Sequence, residues 1–110
     1  MPAYGMNLQS YVKYDLPTEN AGIYVLKASC AAVDPSGQYE PSALKLYVDS
    51  EAYGTNYYEI TIPSNGWSDV NDYTFPAFAL SKGAHTLCLQ VGDKGGYVRL
   101  IELTLSWRFR

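Results

Sequence analysis

The sequence has few of the side chains that usually carry catalysis, and this scarcity limits what the protein can do. Its 110 residues include one histidine and two cysteines, and only 17% of them are charged. It lacks the HExxH and CxxC motifs and a phosphate-binding loop, and the glycines of residues 92–96 form a flexible turn and no dinucleotide fingerprint. We therefore predict that this protein is not an enzyme.

Positive charge and long apolar runs are also scarce. The net charge is −3, and the eight Lys and Arg residues are scattered except at the C-terminal Arg-Phe-Arg, so a nucleic-acid partner is not expected. No apolar run approaches the roughly 20 residues that a helix needs to span a bilayer, and no signal-like segment follows Met1. Membrane insertion is not expected either.

The chain is rich in apolar and aromatic residues. Hydrophobic residues make up 47% of the sequence, and tyrosine alone accounts for 11 residues, which predicts one packed domain over residues 1–110. Tyrosine suits β-sheets, and it is also common at recognition surfaces because it stacks and hydrogen-bonds with little loss of conformational entropy. We assign most of the tyrosines to sheet surfaces and the rest to a recognition surface or an interface.

Apolar and polar residues alternate with a period of two, which is typical of β-strands. Turns that contain Gly or Pro separate seven such runs, at residues 6–14, 21–33, 43–50, 56–62, 72–80, 84–91 and 97–107. No segment longer than a turn has a helical pattern, so the sequence predicts an all-β antiparallel β-sandwich. Pro76 interrupts the run at residues 72–80, which indicates a strand at a sheet edge or a bulge.

The same alternation assigns faces to the chemically interesting residues. Cys30 falls on the apolar face of its strand and Cys88 on the polar face of another, so we expect two free thiols, with a disulfide across a bulged pair as the alternative. His85 falls on an inward face, which favours a packed, hydrogen-bonded side chain over a general base. Neighbouring acidic residues such as Asp69 and Asp72 are common in turns and do not by themselves indicate a glycosidase.

Four features of the sequence follow one another in a recognisable order. They are a Gly-aromatic entry to the run at residues 21–33, the turn Gly66-Trp67, the segment Gly83-Ala84-His85-Thr86-Leu87 and a final run with Ile101-Glu102-Leu103-Thr104. Over residues 10–107 the chain thereby resembles the non-catalytic carbohydrate-binding modules of families 6 and 35. The resemblance implies a galactose-binding-like jelly roll that binds carbohydrate, is attached to a larger enzyme and lies outside the cell or on its surface.

In such modules loop aromatics stack on the sugar, and planar polar side chains hydrogen-bond its hydroxyls. The candidate ligand-binding residues are Gln38, Tyr39, Asn65, Trp67, Asp93 and Tyr97. The Asn that the family places close to its last strand aligns here with Tyr97 or Val98, which is a departure from the pattern. Trp67 could equally pack beneath its loop as a structural residue, whereas the polar surroundings of Tyr39 favour binding.

A structural calcium ion is a second property that the resemblance implies. Modules of this type often hold it between an early Glu and an Asp near the start of the last strand. Here Arg99 aligns with that Asp and the Glu has no counterpart, so we expect the site to be lost and no cofactor to be required. Asp69, Asp72 or Asp93 could still form a different calcium site.

A second hypothesis is a structural subunit that self-associates into an extracellular polymer or surface layer. Only 20 residues precede Ala21, so one strand of the usual jelly roll could be missing and a sheet edge left open. Residues 4–14 could then complete the sheet of a neighbouring molecule. A monomer in solution would favour the sugar-binding hypothesis.

Overall fold

The computed structural model describes residues 4–6, 11–34, 41–50, 54–92 and 96–108. These residues form nine β-strands and no helix, and none of them belongs to a helix that could cross a bilayer. The strands are β1 (Tyr4–Met6), β2 (Tyr11–Thr18), β3 (Gly22–Val33), β4 (Ser42–Val48), β5 (Tyr58–Ile62), β6 (Asn71–Thr74), β7 (Phe78–Leu80), β8 (Gly83–Val91) and β9 (Tyr97–Arg108). The all-β class predicted from the sequence is confirmed.

Two antiparallel sheets pack face to face as a jelly-roll β-sandwich. The first sheet has the strand order β1-β9-β3-β6, and β7 pairs with β3 on the same side as β6. The second sheet has the order β2-β8-β4-β5. The long pairing of β3 with β9 forms the centre of the first sheet, and it fixes where the loops at each end of the sandwich can lie.

Side chains alternate between the core and the outer faces, as the period-two pattern predicts. In β8 the side chains of Leu87, Leu89 and Val91 are buried in the core between the sheets. The other strands contribute a matching apolar set that includes Leu26, Ala28, Leu44, Leu46, Val98 and Leu100. Burial of this apolar surface is the main force that holds the two sheets together.

A β-bulge in β9 changes which of its side chains face the core. The pairing with β3 shifts register between Leu100 and Glu102, so Ile101 has no Cα partner on β3. Ile101 and Glu102 are both exposed, and Leu103 is buried again. A regular strand would have turned Glu102 toward the core, so the bulge avoids burying a carboxylate.

Proline positions explain two differences from the predicted strand boundaries. The run at residues 72–80 is divided around Pro76 into β6 and β7, which lie at the edge of the first sheet, so the prediction of an edge position is confirmed. Pro17 falls between the predicted runs at residues 6–14 and 21–33, where a turn was expected; this was wrong, because Pro17 lies inside β2 opposite Ala84. β2 is itself an edge strand, where a missing N–H donor is tolerated.

The N-terminal run also differs from the prediction. The single strand expected at residues 6–14 was wrong, because β1 and β2 belong to different sheets. Both pair within the chain, β1 with β9 and β2 with β8. The strand donation that the self-association hypothesis requires would therefore have to displace pairings that the chain already makes.

Neither cysteine forms a disulfide, as predicted, and both are buried, although Cys88 was placed on the polar face of its strand. Cys30 faces the core, whereas Cys88 lies outside the core cluster on the other face of β8. Burial, helped by the nearby Asp72 carboxylate, raises the pKa of the Cys30 thiol to about 12. At neutral pH Cys30 is therefore a neutral packing group.

Candidate functional site

One end of the sandwich carries exposed aromatic residues that the sequence predicts to be functional. At this end β3 finishes and β9 begins, and Val33 pairs with Tyr97. Residues 63–70 connect β5 to β6. The N–H of Gly66 donates a hydrogen bond of 2.9 Å to the carbonyl of Ala32, which fixes this connection beside the start of β9.

Trp67 and Tyr97 form an exposed aromatic pair at this end. Their ring centroids are 6.3 Å apart and their planes are inclined by 37°. Trp67 is 40% exposed and Tyr97 is 38% exposed, so both rings present apolar surface to solvent. Tyr97 is the first residue of β9, and its side chain points outward because Val98 is buried in the core.

Polar side chains surround the pair and hold the turn at Trp67. Asn65 Nδ2 donates to Asp69 Oδ2 at 3.1 Å, and the Asp69 N–H donates to the carbonyl of Gly66 at 3.3 Å. Arg99 Nη1 donates to the carbonyl oxygen of Trp67 at 3.1 Å. An amide and a carboxylate therefore lie in the same connection as Trp67, and a guanidinium contacts the Trp67 backbone.

The structure brings together three of the six predicted ligand-binding residues. Trp67 and Tyr97 are in contact, and Asn65 lies in the same connection as Trp67. The other three, Gln38, Tyr39 and Asp93, lie outside the described residues. The described neighbours of those segments lie at the same end, because Asp34 follows β3 and Gly92 donates to the carbonyl of Ala43 at 2.7 Å.

Arg99 also contacts this site through Trp67, although its position in the sequence indicates only the loss of a calcium ligand. Alternation along β9 does predict that it lies on the same face as Tyr97. Nothing in the sequence connects it with Trp67, which lies 32 positions earlier. The contact depends on the route of the β5–β6 connection, which strand patterning does not determine.

The structural calcium that the resemblance implies does not fit the residues present. Calcium requires several oxygen ligands, with carboxylates prominent among them. At the expected position Arg99 directs its guanidinium at the carbonyl of Trp67. Among the described residues, no group of three or more His, Cys, Asp or Glu side chains could hold a metal ion.

The opposite end of the sandwich contains a separate cluster around His85. Its Nδ1 lies 2.6 Å from Asp49 Oδ2, and its Nε2 lies 2.7 Å from the carbonyl oxygen of Ser81. Because both ring nitrogens face acceptors, the geometry favours the doubly protonated imidazolium. The hydrogen bond to Asp49, followed by that to Ser81, raises the pKa of His85. The prediction of a hydrogen-bonded histidine is confirmed.

Asp49 is fixed in this cluster from several sides. Partial burial is the largest single effect on the Asp49 carboxyl, and it acts to raise the pKa. The hydrogen bonds from the Thr86 N–H and from His85 act in the opposite direction and together outweigh it, so the pKa of Asp49 is lowered. Asp49 and Asp15 both line a shallow groove of about 360 Å³ on this side of the molecule. A glycosidase needs a carboxyl group with a raised pKa as its general acid, and Asp49 is shifted in the opposite direction.

No protein-family model and no curated protein sequence matches this chain. Solved structures do match it in fold. A ruminal GH26 endo-β-1,4-mannanase matches 94% of the chain with a TM-score of 0.69 and 16% identity, and the chain spans 19% of that enzyme's length. The module CBM6cm-2 of Cellvibrio mixtus lichenase 5A, solved with cellotriose, matches 94% of the chain and 74% of its own, with a TM-score of 0.67 and 19% identity.

A family 35 carbohydrate-binding module from Clostridium thermocellum is also similar. It matches 93% of the chain and 73% of its own length, with a TM-score of 0.69 and 13% identity. These values confirm the resemblance to families 6 and 35 at the level of the fold. The chain thus has the β-sandwich fold of these modules.

Proposed function

We propose that this protein is a non-catalytic carbohydrate-binding module whose ligand binds at the Trp67–Tyr97 end of the sandwich. The observation that carries the proposal is the pair of exposed rings, fixed at one end of a fold that two carbohydrate-binding modules share. The apolar face of a pyranose packs on an aromatic ring, and the flanking polar groups can hydrogen-bond its hydroxyls. No bond is broken in this mechanism.

The distance between the two rings favours a sugar that lies on the outer surface of the pair over a sugar held between the rings. A sugar held between two rings needs a carbon-to-carbon contact of about 3.5–4.0 Å on each side, which requires about 7–8 Å between the rings. The centroids of Trp67 and Tyr97 are 6.3 Å apart, and the rings contact each other. We therefore expect the sugar to lie across the outer surface of the pair, within reach of Asn65 and Arg99.

The comparisons also support a targeting role. The mannanase contains this fold as about a fifth of its length, which is consistent with a module that delivers an attached enzyme to a polysaccharide. Such a role would place the protein outside the cell or on its surface. Gln38, Tyr39 and Asp93 remain candidate contacts, since the segments that contain them start or end at this end of the sandwich.

A glycan microarray with matched tryptophan variants tests the proposal. Trp67→Ala should abolish binding to one class of sugar, whereas Trp107→Ala should retain it. Trp107 is the matched control because it is equally exposed, at 41%, and lies near the far end of β9. The proposal would be contradicted by a blank array from folded wild-type protein, or by two variants that bind like the wild type.

Self-association is the second candidate, and solution size tests it. No contact of the described residues favours it over sugar binding, and the N-terminal strands that would be donated pair within the chain. We expect a monomer by light scattering. A species whose mass grows with protein concentration would support the structural role instead.

A further inference from the structure

Arg99 links the two elements that carry the aromatic pair. It lies two residues after Tyr97 on β9, and its Nη1 reaches the backbone carbonyl oxygen of Trp67 at 3.1 Å. The bond ends on the backbone of Trp67 and leaves the indole ring free. It therefore controls where the ring is held without occupying the ring face that a ligand would need.

Two other hydrogen bonds of the connection have different partners. The hydrogen bond from Gly66 to Ala32 attaches it to β3, and the bond between Asn65 and Asp69 lies within the connection itself. Among the hydrogen bonds of the described residues, the one from Arg99 is the bond that ties Trp67 directly to the strand of Tyr97. Loss of this bond should leave Trp67 attached to β3 but free to move relative to Tyr97.

We propose that Arg99 is the positioning residue of the aromatic pair and that its guanidinium replaces, in this chain, the structural metal ion that the resemblance implies. The proposal deepens the sugar-binding function and rests on it for its effect on affinity. A backbone carbonyl can be held equally by a metal ion or by a charged N–H donor. Arg99 supplies the second kind of partner from within the chain.

Electrostatic repulsion prevents a metal ion and the Arg99 guanidinium from occupying this position together. A divalent cation close to the guanidinium would be repelled, since like charges a few ångströms apart strongly disfavour each other. Displacing Arg99 to admit a cation would cost the bond to Trp67 without supplying a cluster of carboxylates. The pair should therefore be held in place at any calcium concentration.

Tryptophan fluorescence tests the positioning role without any sugar. The chain has two tryptophans, so a Trp107→Phe background leaves Trp67 as the sole reporter. Arg99→Met keeps the aliphatic stem and removes the donors. It should shift the Trp67 emission to longer wavelength and lower its anisotropy, and Arg99→Lys should recover part of both signals. Lys82→Met, which removes a positive charge from the turn between β7 and β8, should change neither.

The sugar affinity of the variants and the response of the protein to calcium provide a second test. Arg99→Met should weaken sugar binding about three- to tenfold, less than the loss of a full charge-assisted hydrogen bond because Arg99 acts only through the position of Trp67, and Arg99→Lys should weaken it less. Added calcium or chelator should leave the melting temperature of the wild type and the Trp67 emission in the Trp107→Phe background unchanged. Circular dichroism checks that the variants are folded, and if Arg99→Met is not, Arg99→Lys carries the comparison.

Two results would overturn the proposal. One is an Arg99→Met variant, made in the Trp107→Phe background, whose Trp67 emission and anisotropy equal those of that background protein. The other is a Trp67 emission in that background that shifts with calcium and returns with chelator, together with a melting temperature that rises with calcium. If no sugar binds at all, the proposed function fails, whereas the fluorescence comparison still decides the role of Arg99.

Discussion

Replacing Gly22 with alanine should destabilise the protein more than the same change at Gly83. Both glycines begin a strand with positive φ, 154° at Gly22 and 132° at Gly83, values that L side chains rarely adopt. A Cβ at Gly22 would lie 2.5 Å from Trp107 Nε1 and 3.1 Å from the carbonyl oxygen of Arg108, whereas a Cβ at Gly83 meets no heavy atom within 4 Å. The pair of variants thus separates backbone strain from steric overlap.

The expected losses of stability for Gly22→Ala and Gly83→Ala differ only by the steric overlap at Gly22. Backbone strain of this kind costs about 1–3 kcal/mol. Overpacking adds about 1–2 kcal/mol at Gly22, the lower part of its usual range, because the half-exposed Trp107 side chain can move aside. With an unfolding entropy of about 2.1 cal/mol/K per residue, 110 residues lose about 4 °C per kcal/mol. Gly83→Ala should lower Tm by about 4–13 °C, and Gly22→Ala by about 9–22 °C.

Thermal melts followed by circular dichroism measure both shifts, and a double-mutant cycle assigns the excess. In a Trp107→Ala background the overlap with the indole is removed and only the 3.1 Å contact with the Arg108 carbonyl oxygen remains, so the cost of Gly22→Ala should fall toward that of Gly83→Ala. Equal shifts for the two single variants would show that the contact with Trp107 adds no cost at Gly22. So would a Gly22→Ala cost that Trp107→Ala leaves unchanged.

Three further predictions concern the core and the titrating groups. The pKa of His85 in the folded protein is raised above its usual 6.5, so the contribution of His85 to stability is complete below about pH 6.5 and is lost as pH rises through the folded pKa. The Tm difference between wild type and His85→Gln should therefore shrink by pH 9. A difference that stays constant with pH would contradict this. Cys30 and Cys88 should not react with Ellman's reagent at pH 8 until the protein is denatured, since both are buried; rapid labelling of native protein would show that one is accessible. Leu100→Ala should cost about 3–5 kcal/mol in urea unfolding and Ile101→Ala less than about 0.5 kcal/mol, because Leu100 is fully buried and Ile101 is exposed; similar costs would contradict this placement of the two side chains.

Strand patterning predicted those parts of the fold where the pleat is regular. It placed Leu87 and Leu89 inward and Cys88 outward in β8, because a period of two follows directly from strand geometry. It did not predict the bulge at Ile101, since one extra residue costs little locally and is specified by the pairing with β3. It also merged β1 with β2, which alternate alike but belong to different sheets.

The candidate site was predictable in composition but not in geometry. Turn chemistry at Gly66 and the exposure expected of loop aromatics were enough to select Trp67 and Tyr97. Their contact, and the bond from Arg99, join residues about 30 positions apart and depend on tertiary structure. The pairing of Asp49 with His85 was missed for the same reason, because the two are 36 residues apart and meet where the end of β4 lies beside β8.

The exposed area of the pair limits the affinity that one site can reach. With 40% of Trp67 and 38% of Tyr97 exposed, and about 150–250 Å² per aromatic side chain, the rings offer about 120–200 Å². At about 25 cal/mol/Å² this contributes about 3–5 kcal/mol before the costs of association, which corresponds to millimolar binding unless hydrogen bonds add to it. A module tethered to an enzyme raises the enzyme's effective concentration at a polymer even with such weak contacts. Under the proposed function we therefore expect a polysaccharide as ligand, because a polymer presents many equivalent sites and a free monosaccharide only one.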